Sequence, residues 1–254
     1  MHPRVGKGIV TVYQRNFAKP MSSIIILAGG RSSRLGRDKG LASLVDKTLV
    51  EHVWDRVEGL AEEIVVVVSS RKQQEAYSRI LKGHVVADRG RCGGPLTGLR
   101  SGLKVIKAQR VAVIGCDMPF VSADLLDLFF EFCLKQDAVV PRWPDGYIEP
   151  LHSVYDSTRC LMATESALRK GRRDMRSMIY HLHRVLYVST EVIRKMGPHL
   201  EAFTNINTRA ELWKARHALA NGNLLQDEHQ SVVLHTATHS KHLTHSPAQS
   251  RHLS

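Results

Sequence analysis

The sequence predicts an α/β fold in which a mainly parallel sheet is covered by helices on both faces. Three observations predict it. The β-branched runs Ile24-Ile25-Ile26, Ile64–Val68 and Val111–Ile114 are uninterrupted, as expected of strands buried on both faces. Segments of helical periodicity separate these runs, at lengths that suit right-handed βαβ crossovers. The polar and glycine-rich motifs follow the strands, where ligands of open parallel sheets bind.

Taken in order, Ile24–Ile26 forms the first strand and leads into the loop Leu27–Lys39. Val50, Val53, Trp54, Val57 and Leu60 recur at helical spacing, so an amphipathic helix runs from about Thr48 to Leu60. Ile64–Val68 is the second strand, after which Ser69 and Ser70 can cap a helix reaching about Leu81. Val85-Val86-Ala87 is the third strand, ending at Asp88. Gly93-Gly-Pro-Leu-Thr-Gly98 opens a helix with Leu96, Leu99, Leu103 and Ile106 inward. Val111–Gly115 is the fourth strand and runs into Cys116-Asp-Met-Pro-Phe120. Ser122 caps a helix with Leu125, Leu126, Phe129 and Cys133 on its apolar face, and Ala138-Val139-Val140 is the fifth strand. Beyond Pro141 the pattern is mixed. A turn at Trp143–Gly146 precedes extended chain over Tyr147–Tyr155. Helices are expected over 157–170 and about 174–182, a strand over 185–188, and a last helix after Asn205-Ile-Asn-Thr208, capped by Asn207 or Thr208.

In the first loop, Gly29 and Gly30 remove the Cβ atoms that would keep a ligand off the backbone, and Arg31, Arg34, Arg37 and Lys39 add four cations. Bare amides combined with cations suit a polyphosphate. Neither the P-loop ending Gly-Lys-Ser/Thr nor the Gly-x-Gly-x-x-Gly dinucleotide fingerprint is present. Asp117, at the end of the fourth strand, can hold Mg²⁺ or partner the helix start near Ser122, and its shared edge with the basic loop favours the metal. Asp88 can bind ribose or base, or sit in a turn. Gly93, Gly94 and Gly98 give either close backbone approach to a nucleotide or only a tight turn before Pro95. The sequence presents no nucleophilic dyad or triad, which fits a direct transfer governed by alignment and charge neutralisation.

The 254 residues allow one α/β domain plus extensions. Of the formal charge of +12, residues 1–20 carry +4 (Arg4, Lys7, Arg15, Lys19) and residues 221–254 sum to zero, leaving +8 on the body. That field favours anionic partners. No run approaches the ~18 apolar residues of a membrane span, and the basic start lacks the apolar centre of a signal peptide. Cys92, Cys116, Cys133 and Cys160 are widely spaced, which argues against a zinc cluster or disulfide framework and suits a reducing cytosol. The expectation is a cytoplasmic protein without membrane contact. Residues 1–20 read as a loose N-terminal extension or a start-site artefact, 21–220 as the folded domain, and 221–254 as a disordered, His-rich tail. In that tail His235 and His239 have helical metal-ligand spacing, but no carboxylate or cysteine joins them.

The segment Leu27-Ala-Gly-Gly-Arg-Ser-Ser-Arg-Leu-Gly-Arg-Asp-Lys39 resembles the L-A-G-G-x-S-x-R-(M/L)-G-x-D-K signature of the nucleotidyltransferase fold, in the form typical of molybdenum cofactor guanylyltransferases (MobA-like). Gly94-Pro-Leu-Thr-Gly98, Cys116–Phe120, Glu149-Pro-Leu151 and Asn205-Ile-Asn-Thr208 follow in the family's order, so the likeness spans about residues 22–218. It implies a Rossmann-like three-layer αβα nucleotidyltransferase fold. It also implies transfer of GMP from GTP to molybdopterin, with Mg²⁺ as cofactor and pyrophosphate released. Leu27, Ala28, Gly29, Gly30, Lys39, Ser69, Asp88, Gly94 and Asp117 would contact GTP. Lys39, Arg31, Arg34 and Asp117 would carry catalysis, with Asp117 also on the metal. Glu149–Leu151 and Asn205–Asn207 would lie toward the pterin. Other molybdenum cofactor biosynthesis proteins and recipient molybdoenzymes are the implied protein partners.

This chain has Ser69-Ser70 where bacterial members often carry an asparagine at the guanine site, so CTP, or another nucleotide with a sugar- or alcohol-phosphate acceptor, is the competing expectation. The basic stretch Arg169–Arg176 reads as solvated surface, with a pterin-phosphate contact or an acidic protein partner as the alternatives. A nucleic-acid module is disfavoured despite the pI of 9.8, since aromatic residues are 6% of the chain and offer few stacking platforms.

Overall fold

A computed structural model describes residues 21–29, 38–88, 93–197 and 199–220, and in it the β-branched runs become the middle of a seven-stranded sheet. Gly30, Arg31, Arg34, Arg37, Cys92, residues 1–20 and the His-rich tail lie outside the described residues. In chain order the elements begin β1 (Ser22–Leu27), β2 (Ser43–Leu44), β3 (Lys47–Thr48), α1 (Leu49–Val57), β4 (Glu63–Val68), α2 (Arg71–Ile80), β5 (His84–Ala87), α3 (Pro95–Leu103) and β6 (Arg110–Gly115). They continue with α4 (Ala123–Phe132), β7 (Ala138–Arg142), β8 (His152–Asp156), α5 (Ser157–Arg169), α6 (Met175–Ile179), β9 (Val185–Ser189), α7 (Thr190–Met196) and α8 (Arg209–Ala220).

The strand order is β5-β4-β1-β6-β8-β7-β9. Strands β5, β4, β1 and β6 pair in parallel, β8 runs antiparallel to both its neighbours, and β9 is parallel to β7. Six strands therefore point the same way, and the first crossover reverses direction between β4–β1 and β1–β6, making β1 the switch point of the sheet. Because successive side chains point to opposite faces, the continuous apolar strands feed two cores. Ile24, Ile26, Val66, Val68, Ala112 and Ile114 face α1, α2 and α4, where Trp54, Tyr77 and Phe129 pack. Ile25, Leu27, Val65, Val67, Val111 and Val113 face α3, α5 and α6. A smaller cluster of Leu44, Leu49, Phe120, Ile206 and Ala215 seats α8 beside the β2–β3 hairpin.

The helix starts follow the expected capping chemistry. Thr48 and Glu51 form a reciprocal capping box on α1, Ser70 caps α2, and Ser122 caps α4. Thr208 Oγ1 accepts from the Glu211 amide at 3.1 Å, and the Glu211 carboxylate accepts from the Thr208 amide at 2.8 Å, which selects Thr208 over Asn207 as the cap of α8. Three features depart from the sequence pattern. The β2–β3 hairpin turns through Val45 at φ 60, α7 is an additional helix, and residues 147–151 form a loop ahead of β8. Among the described residues no helix is long and apolar enough to cross a membrane.

Candidate active site

The carboxyl ends of β1, β4, β5, β6 and β7 share one edge of the sheet, and the predicted polar positions gather there. Ladder hydrogen bonds continue past the strand ends: the Ala28 amide donates to Val67 O at 2.8 Å, Asp88 to Val68 O at 2.7 Å, and Cys116 to Leu27 O at 3.1 Å. These bonds lock Ala28, Asp88 and Cys116 into one shelf. Gly29 lies against the residue after β4, since a Cβ there would stand 2.5 Å from Ser69 Oγ and 3.3 Å from the Ser69 amide nitrogen. Only glycine permits that approach. Ser69 itself is exposed, with its amide held by Gln73 Oε1 at 2.9 Å. Asp88 accepts from Ser101 Oγ at 2.9 Å, which ties the end of β5 to α3. Gly94 has φ 101 and precedes Pro95 at the first turn of α3, so the tight-turn role is realised; its neighbour across the edge is Arg173.

Lys39 and Asp117 meet at the centre of this shelf. The Lys39 ammonium forms an ion pair with Asp117 Oδ2 and also donates to Asn207 Oδ1 at 2.5 Å. Both charged side chains are mostly buried but reachable, at 17% and 18% exposure, which is the state a substrate-binding pair needs. Three segments distant in sequence supply this group. The Ile206 amide donates to Asp117 O at 2.9 Å, so the Asn205–Asn207 segment is fastened to the end of β6 by its backbone. Gly115 makes room for the carboxylate, since a Cβ there would stand 2.3 Å from Asp117 Oδ1. The capping alternative for Asp117 is not realised, because Ser122 Oγ accepts from the Leu125 amide at 3.2 Å.

Asp38, unassigned by the sequence reading, fixes the base of Lys39. Its carboxylate accepts from the Tyr77 hydroxyl at 2.7 Å, Gln73 Nε2 at 2.6 Å and the Gly40 amide at 3.2 Å. Burial, with the thiol of Cys116 and the Asp38 carboxylate nearby, raises the Tyr77 pKa far above the ordinary phenol range, so its hydroxyl remains a donor.

A family model described as the MobA-like NTP transferase domain matches residues 24–185. A Methanosarcina mazei protein carrying the name "Probable molybdenum cofactor guanylyltransferase" is 33% identical over 197 residues, covering 75% of this chain and 88% of its own. The "Molybdenum cofactor guanylyltransferase" of Desulfosudis oleivorans is 32% identical over 202 residues, with 79% and 96% covered. The chain belongs to the MobA-like NTP transferase family. Its fold agrees. The crystal structure of molybdopterin-guanine dinucleotide biosynthesis protein A from Archaeoglobus fulgidus superposes with a TM-score of 0.68 at 27% identity, covering 78% of this chain and 99% of that one.

In this MobA-like transferase the other half of the shelf is built from β7 and β8. Glu149 is buried and accepts from Trp143 Nε1 at 2.8 Å, while its backbone carbonyl takes the Ser153 hydroxyl at 2.6 Å. Burial pushes its pKa up to about 7, and the negative charge of Asp117 adds to this against the Trp143 bond and the pull of Arg176. Glu149 therefore holds a proton part of the time at neutral pH. The Tyr155 hydroxyl donates to Pro150 O at 2.8 Å, so the Glu149-Pro-Leu151 segment is held from both sides. Behind it His152 is fully buried, with neither ring nitrogen hydrogen-bonded and with the Phe203 and Phe129 rings edge-on at 5.1 and 6.5 Å. Desolvation, helped by His199, drives its pKa down to about 3, so it packs as a neutral ring.

The contribution of Asn207 to Lys39 carried a sequence signal, the Asn-Ile-Asn motif, but not its address. Asp38 lay inside the first motif with no role assigned to it. Glu149 was visible as a motif, while its burial and raised pKa come only from tertiary packing.

Proposed function

We propose that this transferase moves GMP from GTP to the phosphate of molybdopterin, giving the guanine dinucleotide form of the cofactor and pyrophosphate. The observation that carries the reading is the Lys39–Asp117–Asn207 contact at the switch point of the sheet. An acceptor phosphate oxygen attacks the α-phosphorus, a new P–O bond forms, and the bond to the bridging β-phosphate oxygen breaks. Lys39 neutralises charge accumulating on the phosphoryl oxygens, and Asn207 and Asp117 hold its ammonium in place. Gly29, Ser69, Asp88 and Gly94 line the nucleotide half, together with the backbone at Leu27 and Ala28, and we assign Gly30, Arg31 and Arg34 to the triphosphate on the motif alone.

The residues present fit Mg²⁺. Asp117 is a part-exposed carboxylate at the end of β6, with one oxygen against Gly115 and the other shared with Lys39, whose place an incoming cation would contest. Among the described residues no group of three or more His, Cys, Asp or Glu side chains could form a full protein cage. A single carboxylate with the remaining ligands from phosphate and water is the arrangement Mg²⁺ favours. Bound there, the ion would supply charge neutralisation for the triphosphate and the departing pyrophosphate. Cys116, Cys133 and Cys160 are buried free thiols, which suits the cytoplasm, and the implied protein partners are cofactor-supplying and cofactor-receiving enzymes.

The experiment is pyrophosphate release from GTP, CTP, UTP and ATP with Mg²⁺ and molybdopterin, alongside Asp117→Ala. GTP should be preferred, and the variant should lose turnover by at least about a hundredfold while staying folded. A preference for CTP would select the reading that Ser69-Ser70 leaves open. Near-normal activity of Asp117→Ala would remove Asp117 from the mechanism.

A further inference from the structure

An in-line displacement needs the attacking oxygen opposite the departing pyrophosphate at the α-phosphorus. With the nucleotide assigned to the ends of β1, β4 and β5, the part of the shelf left for the acceptor lies over β6, β8 and β7. On that side, beyond Glu149, Tyr147 and Arg176 stand together. The Arg176 guanidinium lies over the Tyr147 ring at 4.7 Å from its centroid, yet Tyr147 remains 45% exposed, so the tyrosine keeps an uncovered surface. Both members are held. The Trp143 amide donates to Tyr147 O at 2.7 Å, and the Tyr147 amide donates to Asp145 Oδ1 at 2.9 Å, which closes the turn carrying the ring. Asp174 caps α6, the helix that carries Arg176, and the Leu96 amide donates to Arg173 O at 3.3 Å, joining the chain ahead of α6 to the Gly94 loop.

The basic stretch 169–176, read from sequence as solvated surface, therefore divides: Arg173 and Arg176 reach the edge of the sheet that carries the site. We propose that the uncovered surface of Tyr147 stacks a planar heterocycle of the acceptor substrate, with Arg176 bracing the ring from its covered side. This rests on the guanylyl-transfer reading for which substrate lies there. Tyrosine supplies a large, rigid surface at low entropic cost, and the guanidinium over its other side holds the ring in place, so the platform selects flat ligands over flexible ones. Tyr147 and Arg176 thus set acceptor specificity and leave GTP untouched.

The test separates the two claims. Binding is followed with a pterin monophosphate, titrated into the full-length protein through its own fluorescence, and turnover is followed as pyrophosphate release from GTP and molybdopterin. Tyr147→Ala should weaken pterin monophosphate binding by about tenfold, within the range for ring stacking on an aromatic side chain. Tyr147→Phe should stay within about twofold of wild type, and Arg176→Ala should lose about twofold to fivefold, on the scale of the cation–π contact that braces the ring. In turnover, Tyr147→Ala should raise KM for molybdopterin and leave KM for GTP unchanged. Failure of wild type to bind pterin monophosphate, or equal binding by Tyr147→Ala, overturns the platform even where GTP turnover is intact. Tyr147-dependent binding without pyrophosphate release from GTP upholds the platform and refutes guanylyl transfer.

Discussion

Replacing His152 with leucine should flatten the acid side of the stability curve. His152 is fully buried, neither ring nitrogen has a hydrogen-bond partner, and its pKa falls from 6.5 to about 3. Between those two values the unfolded chain binds a proton at this position and the folded chain does not. Stability therefore rises with pH across that window and is lost as pH falls below 6.5. At about pH 5 the loss due to this one group is about 2 kcal/mol, at ~1.4 kcal/mol per unit. The leucine variant lacks the titration, and it also removes two unpaired buried nitrogens, each of which costs on the order of 1 kcal/mol or more when unsatisfied. The assay is urea unfolding of both proteins at about pH 8 and about pH 5. With a urea slope of about 1–3 kcal/mol per molar, the wild-type midpoint should drop by roughly 1 M more than the variant's between the two pH values. Glu149 and the other titrating groups are common to both proteins and cancel in the difference. If the two midpoints move in parallel, His152 is not neutral in a dry site, and the packing assigned to Phe203 and Phe129 around it is wrong.

Glu149→Gln should remove a dependence of the opposite sign. The raised pKa of about 7 against an ordinary 4.5 means the folded protein holds the extra proton, so stability present at low pH is lost as pH rises through about 7, up to ~3 kcal/mol. Thermal melts should show the glutamine variant, which keeps an acceptor for Trp143, more stable at about pH 8 and little changed near pH 4. Gly115→Ala should displace the Asp117 carboxylate, because the new Cβ would stand 2.3 Å from Oδ1. We expect kcat to fall about tenfold to a hundredfold with the unfolding midpoint little changed, since positional errors of ~1 Å at a reacting centre are worth that much. Asp38→Ala should cost about 2–3 kcal/mol in urea unfolding by leaving the buried Tyr77 hydroxyl without its acceptor. A midpoint shift under half of that would mean the Asp38 contacts contribute little to stability.

The fold was legible where packing is governed by local chemistry. A strand buried on both faces must be apolar at every position, so Ile24–Ile26, Ile64–Val68 and Val111–Ile114 announced themselves, and Thr48, Ser70 and Ser122 announced the helix starts. The β2–β3 hairpin was not legible because it turns through Val45 and Asp46 without the asparagine or glycine that usually supports positive φ. The direction of β8 was equally hidden. Its apolar residues look the same whichever way the strand runs, and the reversal is fixed by the short Arg142–His152 connection, too short for a crossover.

The candidate site divides along the same line. Lys39 and Asp117 are 78 residues apart, and their meeting was inferable because both follow strands of one parallel sheet, whose carboxyl ends share an edge. Asn207 reaches the same point by a route no periodicity encodes: its segment is pinned by the Ile206 amide on Asp117 O, by the Asn207 amide on Glu211 and by the seating of α8 on the β2–β3 hairpin. Glu149 shows why the residue type alone is insufficient. The same carboxylate on a solvated loop would be an ordinary acid. Here the rigid Trp143–Tyr147 turn and the hydrogen bonds under Glu149-Pro-Leu151 bury it within electrostatic reach of Asp117, and its protonation becomes sensitive to the charge there. A polyphosphate bound at Lys39 would add negative charge to the same neighbourhood and raise the Glu149 pKa further, whereas a divalent cation on Asp117 would lower it. The Glu149 proton is thus coupled to the charge of Asp117, and that coupling follows from the packing around β7 and β8 rather than from any motif.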